Sequence, residues 1–345
     1  MHTMQALIKT APDKTELKTV PRPLPGPCEV LVRVQAAALC GTDLHIYDWN
    51  PWAQGAGISL PLIMGHECCG EVVAVGGDVG GLTVGDKVVG ETHVPCGTCY
   101  QCQNGEQHIC NNLRLFGIHM HGCFAEYAVI PAICARKIPR EIPYEVGAVM
   151  EPLGTAFRAA FETQVGGSNV AILGCGPIGL FAVASAAMLG AARIIATDIS
   201  PARLATAEKM GADTVLDARE AGLVDTILAA TGGYGVDVVI DAAGNVEALK
   251  QAFKFLRKGG RMALIGLPGK PIELELGKEV VFKEAKIIGI HGRKMFETWT
   301  QMENALASGK LVVDPAITHV MPLAHWREGI DLAKSGQACK VIYHP

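Results

Sequence analysis

"NVAILGCGPIGLFAVASAAMLGA", residues 169–191, decides how the second half of the chain is built. An apolar run from Val170 to Leu173 gives way to a glycine turn and then to a helical stretch, the strand, turn and helix order of a dinucleotide fingerprint. A lone G-x-G-x-x-G means little; this context gives it weight. In "GCGPIG", Gly174 permits the tight turn, Gly176 lets the backbone approach a pyrophosphate, and Gly179 lets the helix lie close to the strand. The helix N-terminus, beginning around Pro177 and Ile178, supplies amides for the phosphates. Asp198 closes the next strand, "RIIATD", at about the distance expected of the acid that binds the adenosine ribose. Its carboxylate would accept from both ribose hydroxyls and repel a 2′-phosphate, so NAD is expected rather than NADP. Arg203 is able to host such a phosphate, but beside an acid it reads as packing on the adenosine. The plainer reading is that Asp198 caps the helix near Pro201.

The stretches that follow, "ARLATAEKMGA", "TVLD", "VDVVIDAAG", "ALKQAFKFLRKGG" and "RMALIGL", keep alternating helix with strand, which predicts a parallel, doubly wound sheet. Toward the N-terminus the texture differs. "EVLVRVQAAAL", "GEVVAVGGDV" and "GDKVVGE" are short β-branched runs punctuated by glycine, as in an irregular β-rich domain. At 345 residues, 49% of them apolar, the chain suits two domains with substantial cores. The tail from 297 is helical again and ends in the strand-like "VIYHP", expected to pack back on the first domain.

Thirty basic and 34 acidic side chains give a formal charge of −4 with no basic run, which argues against a nucleic-acid partner. No stretch reaches the roughly 18 apolar residues of a membrane span, and the start lacks the layout of a secretory signal, so a cytoplasmic protein is expected. Eight of the twelve cysteines are scattered through the chain, as where thiols stay reduced. The other four are Cys96, Cys99, Cys102 and Cys110, spaced C-x2-C-x2-C-x7-C. Such a set closes all four positions of a zinc ion and reads as structural. A second metal site has to be assembled from "LCGTDLH" (39–45) and "MGHECCGE" (64–71). Cys40, His66 and Glu67 would make a mixed set with one position left for water or substrate. Taken singly, Cys40 is equally a buried small hydrophobe and His66–Glu67 a polar turn.

Together, "CGTDLH", "GHECCGEVVAVG", the four-cysteine loop, "GCFAEY", "MEPLGTAFRA" and the glycine fingerprint, in this order, resemble the zinc-dependent medium-chain alcohol dehydrogenases over essentially the whole chain. "CGTDLHIYDWNPWAQ" and "GIHGRKMFETW" are similar to the threonine-dehydrogenase branch of that family. The resemblance implies an α/β protein with a GroES-like catalytic domain at 1–153, carrying a structural zinc lobe at about 91–112. A Rossmann domain follows at 154–296, and 297–345 rejoins the first domain. It also implies two zinc ions per subunit, catalytic at Cys40, His66 and Glu67 and structural at the four cysteines. Glu151 falls where relatives hold a further ligand or a nearby carboxylate. Besides the glycine turn, Asp198 and Arg203, the expected NAD contacts are Ile178, Ile265, Gly266, Leu267, Ile290 and His291.

By the same resemblance the reaction is zinc-assisted hydride transfer from an alcohol to NAD, in a homotetramer or sometimes a dimer. Thr42, followed through the cofactor ribose by His45, would carry the proton to solvent. For a threonine substrate the ammonium and carboxylate need partners, and His93 and Arg293 are the candidates, Arg293 for the carboxylate. The competing substrates are polyols and vicinal diols. A non-catalytic nucleotide-binding protein on the same scaffold would not need Cys40, Thr42, His45, His66 and Glu67 all intact.

Overall fold

The alternation of strands and helices after residue 168 becomes a six-stranded parallel sheet. Its strands lie in the order Thr214–Asp217, Arg193–Asp198, Asn169–Leu173, Val236–Asp241, Leu256–Leu264 and Lys286–Gly289. In chain order that is 3-2-1-4-5-6, the doubly wound dinucleotide-binding arrangement. The first strand sits at its centre, with Val170 level with Ile194 on one side and Val238 on the other. That position explains its composition. Val170, Ala171 and Ile172 are wholly buried, as expected of a parallel strand covered on both faces. The helix Val246–Phe255 buries Leu249, Ala252, Phe253 and Phe255, a three-and-four spacing that presents one apolar stripe to the sheet. Each such large side chain contributes roughly 1.5–3 kcal/mol by leaving water.

The computed structural model describes residues 2–345. The chain divides into two compact units, Met1–Glu151 with Ile317–Pro345, and Pro152–Ala316. The first is β-rich. A seven-stranded sheet runs Ala135–Lys137, Lys87–Gly90, Glu67–Val75, Glu29–Ala38, Lys340–His344 and Ile317–Pro322, with Tyr127–Pro131 also paired to Glu29–Ala38. A three-stranded sheet adds Lys14–Pro21, Thr3–Ala11 and Leu62–Ile63. The C-terminal strand lies parallel to Ile317–Pro322 and antiparallel to Glu29–Ala38, with Ile342 opposite Ala38. Its Tyr343 is fully buried, edge-on to Phe124, with its hydroxyl donating to the Trp326 carbonyl at 3.0 Å.

The tail thus rejoins the first unit, but from Ile317 and not from residue 297. The helix Glu297–Ala307 stays with the second unit because its buried stripe, Thr298, Trp299, Met302 and Ala305, is spent there. Trp299 lies under the Arg293 guanidinium at 5.7 Å, and Lys294 just before the helix pairs with Glu162 at 3.3 Å. No helix among the described residues is long and apolar enough to cross a membrane.

Candidate active site

Strand register brings the dispersed ligand candidates together. Glu67 is paired with Ala38 across the antiparallel strands, which sets it beside the turn where Cys40 leads into the helix Gly41–Asp48. One ligand atom each from Cys40, His66 and Glu67 lies within 4.8 Å of the others. Two residues overlooked in the sequence hold this geometry. Asp43, wholly buried, accepts from the Cys40 amide at 3.0 Å and the Gly65 amide at 3.3 Å, so one carboxylate ties both ligand loops. Lys340, 1% exposed, donates to Glu67 Oε2 and to the Leu39 carbonyl.

The electrostatics fit a cation. Glu67 Oε1 is buried without a hydrogen-bond partner, while His66 Nδ1 faces Asp43 Oδ1 at 3.5 Å. Orphaned buried polar atoms are rare in folded proteins and call for an ion or water. Burial raises the Glu67 carboxyl above its ordinary 4.5, and Glu151 adds to this, against the opposing pull of Lys340 and His66. Burial opposes a charged His66, yet Asp43 and Cys40 hold it well above 6.5. Three convergent donors of thiolate, imidazole and carboxylate type suit zinc with a position left open.

A second buried cluster lies in the same unit. Donor atoms of Glu91, His93 and Glu151 fall within 4.8 Å of one another. Glu91 Oε1 accepts from the His93 backbone at 2.8 Å and contacts its Nδ1 at 2.7 Å. Glu91 was also overlooked; its only signal was its place two residues before His93 on the same chain direction.

Thr42 and His45 follow Cys40 on the helix Gly41–Asp48, three residues apart and so on one face. Thr42 is half-buried and His45 exposed, a path from the ligand loop toward solvent.

In the cysteine loop, Sγ of Cys99 lies 3.5 Å from that of Cys102 and 3.7 Å from that of Cys110. The edge of a tetrahedron with about 2.3 Å metal–sulfur bonds is about 3.8 Å. The short strands His93–Val94 and Arg114–Leu115 clamp the base of this loop. Hydrogen bonds from the Thr98 backbone and hydroxyl lower the Cys96 thiol to about 5, toward the thiolate that a metal needs. The amide of Asn112 donates to Cys110 Sγ at 3.3 Å. None of the twelve cysteines, all among the described residues, is joined in a disulfide.

In the second unit Gly174 has φ +83, and a side chain there would strike Ala243 at the neighbouring strand's end. A side chain at Gly179 would run into the Gly174 carbonyl, whereas one at Gly176 would meet open space. Asp198 Oδ2 accepts from the Cys175 amide at 2.6 Å and Oδ1 from the Ser200 amide at 2.8 Å. The carboxylate therefore both fixes the glycine turn and begins the next helix. With Gly176, Ile199, Arg203 and Gln251 it lines a cavity of about 340 Å³, where Arg203 Nε is buried and unpartnered. Pro177 and Ile178 open the helix Pro177–Met188. The Ile265 and Gly266 amides bond the Asp241 carbonyl at 2.9 and 3.0 Å, and Leu267 beyond them is 87% exposed. The Ile290 amide bonds Leu264, and the His291 carbonyl accepts from Arg158 at 3.1 Å. Asp241, a fourth overlooked residue, is wholly buried; its Oδ1 accepts from the Ala243 and Gly244 amides, and burial raises its carboxyl above 3.8. Arg293 is buried in this unit, bonded to Thr155 at 3.3 Å and stacked over Trp299.

Residues 26–140 match the family described as alcohol dehydrogenase GroES-like domain, and residues 177–308 match zinc-binding dehydrogenase. Over 346 aligned residues the chain is 41% identical to the L-threonine 3-dehydrogenase of Symbiobacterium thermophilum, covering 99% of this chain and 98% of that protein. Among solved structures it is similar to a Sinorhizobium meliloti 1021 protein described as a zinc-binding dehydrogenase, bound to NADP. That likeness has a TM-score of 0.92 and 31% identity, over 100% of both chains. An Escherichia coli CFT073 protein described as a short chain alcohol dehydrogenase, complexed with NADH, matches with a TM-score of 0.91 and 29% identity over 99% of both.

Proposed function

The chain belongs to the zinc-binding dehydrogenase family, and on that footing we propose that it oxidises the β-hydroxyl of L-threonine to 2-amino-3-oxobutanoate with NAD as acceptor. The observation that carries this reading is the convergence of Cys40, His66 and Glu67 around an unsatisfied buried carboxylate oxygen, in a chain similar to a threonine dehydrogenase over its full length.

When bound, zinc supplies Lewis acidity toward a hydroxyl oxygen and NAD supplies the hydride acceptor. Cys40, His66 and Glu67 would hold the catalytic ion, and Cys96, Cys99, Cys102 and Cys110 a structural one, two per subunit. Glu151 stands beside the first set, close enough to push up the Glu67 carboxyl. The Thr42 hydroxyl would accept the substrate's hydroxyl proton on its lone pair while giving up its own toward exposed His45, which releases a proton to water. Gly174, Gly176 and Gly179 admit the pyrophosphate at the start of the helix Pro177–Met188, with Ile265–Leu267 and Ile290–His291 as further cofactor contacts. Asp198 selects NAD, because a 2′-phosphate would meet a carboxylate already held in place by two amides. The buried acids Glu91 and Glu151 beside His93 suit the substrate ammonium, whereas Arg293, expected to bind the carboxylate, is buried within the second unit against Thr155 and Trp299 and is given no substrate role. A cytoplasmic homotetramer completes the proposal.

The product tests this reading. 2-Amino-3-oxobutanoate is a β-keto acid and loses carbon dioxide to give aminoacetone, so turnover of threonine with NAD should yield NADH and aminoacetone in equal amounts. NADH without aminoacetone would refute oxidation at the β-carbon.

A further inference from the structure

The stretch "HIYDWNPWAQ", residues 45–54, carries part of the resemblance noted in the sequence, yet of its ten residues only His45 has so far been given work. The rest forms a small structure around that imidazole. Trwo features bend the chain back under it: Trp49 takes the left-handed conformation, φ 49, and the Asn50 amide bonds the His45 carbonyl at 3.3 Å. A bulky residue held at positive φ costs of order 1–3 kcal/mol, and such strain gathers where geometry matters. The short helix Pro51–Gly55 then starts at Asn50, and Gln54 Nε2 donates back to the Trp49 carbonyl at 2.9 Å. Trp52 on this helix lies against the His45 ring, centroids 5.7 Å apart.

The orientation of the Asn50 amide is fixed by its own cap. The Ala53 backbone N–H donates to Asn50 Oδ1 at 3.1 Å, and an N–H has only an acceptor as partner. The other end of the amide, the Nδ2 donor, therefore faces His45 Nδ1 at 2.8 Å. A donor pointed at Nδ1 requires a lone pair there, so the neutral ring carries its proton on Nε2. Both other states of the ring are opposed. In the Nδ1–H tautomer and in the imidazolium, Nδ1–H would point at the amide N–H, unless Asn50 turned over and gave up the cap on Ala53.

We propose that Asn50 is a positioning residue that holds His45 neutral with its proton on Nε2, and so keeps the outer end of the proton path discharged to a lower pH. This rests on the relay reading given above. When His45 takes up a proton at Nδ1, the Asn50 bond breaks. When that proton leaves for solvent water the electron pair returns to Nδ1 and the bond re-forms, so the amide acts as a spring toward the discharged ring. The charged groups on or against this helix have partners of their own, Lys9 donating to the Tyr47 carbonyl at 2.6 Å and Lys334 lying over the Tyr47 ring. The helix Pro51–Gly55 has no titratable side chain, Asp43 is occupied by the Cys40 and Gly65 amides, and Asp48 is paired to Lys334 at 2.7 Å.

The test uses Asn50→Asp, which keeps an acceptor for the Ala53 cap and replaces the donor facing His45 with a carboxylate that favours imidazolium. With the zinc-loaded protein, kcat/KM for L-threonine is followed against pH for wild type, Asn50→Asp, His45→Gln and the double variant. The acid limb of Asn50→Asp should move up by about one pH unit, giving about tenfold lower kcat/KM on the acid side and wild-type values on the alkaline side. In the His45→Gln background the same change should move nothing. If Asn50→Asp keeps the wild-type limb, loses rate equally at all pH, or shifts the limb without His45, the proposal is overturned while the relay stands. If His45→Gln itself leaves rate and profile unchanged, the relay reading falls and this proposal with it.

Discussion

Replacing Lys340 with Met should expose how the ligand site is balanced. Lys340 and Glu67 are 1% and 0% exposed at their side chains, and the Lys340 ammonium also satisfies the Leu39 carbonyl. Methionine fills similar space but leaves the buried Glu67 carboxylate without its hydrogen-bonded ammonium, with only the His66 imidazole left to oppose its charge. Removing one partner of a buried pair costs about 3–5 kcal/mol. For a unit of this size that lowers the unfolding midpoint on the order of 10 °C. The sign with pH follows from Glu67. Its folded value already lies above 4.5, so the site is most stable where the carboxyl is protonated and loses stability as pH rises through the folded value. Without Lys340 that value rises further, and the deficit of the variant should grow with pH. Bound zinc brings a compensating charge, so the variant should gain more from metal than wild type does. The assay is thermal unfolding followed by circular dichroism, with chelator and with one and two equivalents of zinc, at several pH values. Equal midpoints for variant and wild type in chelator, or an equal deficit with and without zinc, would refute the argument.

Asp198→Ala removes the negative charge at the end of its strand and leaves Arg203 Nε to find a partner in the same cavity. Its ratio of kcat/KM for NAD over NADP should fall by at least tenfold, measured by NADH and NADPH formation. Asp237 is raised by burial but lowered more strongly by the Asn169 amide at 2.7 Å and the Arg257 guanidinium at 2.6 Å, and it lies below 3.8 overall. A depressed carboxyl contributes fully above its ordinary value and loses that contribution as pH falls through the folded one. Asp237→Asn should therefore be less stable than wild type at neutral pH, by about 1–3 kcal/mol in denaturant unfolding, with the gap closing as pH falls below 3.8. Cys99→Ser should cost one zinc equivalent by metal analysis and lower the unfolding midpoint of the protein, while the zinc that supports turnover is retained.

The second unit was legible because its information is local. Val170 to Leu173, the glycine turn and the helix after it lie within one short window, and period and turn chemistry reveal them. The four cysteines were legible for the same reason. Cys40, His66 and Glu67 were not, since nothing in their spacing says that Ala38 pairs with Glu67; the family pattern supplied what periodicity could not. Lys340 lies 273 residues from the carboxylate it neutralises, and no local signal marks a lysine that will be buried. Asp43 and Glu91 were hidden differently. Each sits near a recognised ligand or substrate candidate and reads as an ordinary acid until the loops close on it. The boundary at 297 was misplaced because an amphipathic helix shows that it has a buried face without showing against which unit it packs.

The central claim is tested most directly by the substrate and cofactor preference of the zinc-loaded protein. NADH formation is measured with L-threonine, 2,3-butanediol, sorbitol and ethanol, each with NAD and with NADP. The arrangement of Cys40, His66, Glu67, His93 and Asp198 predicts that kcat/KM is highest for L-threonine with NAD. A clear preference for the diol or for sorbitol would contradict it.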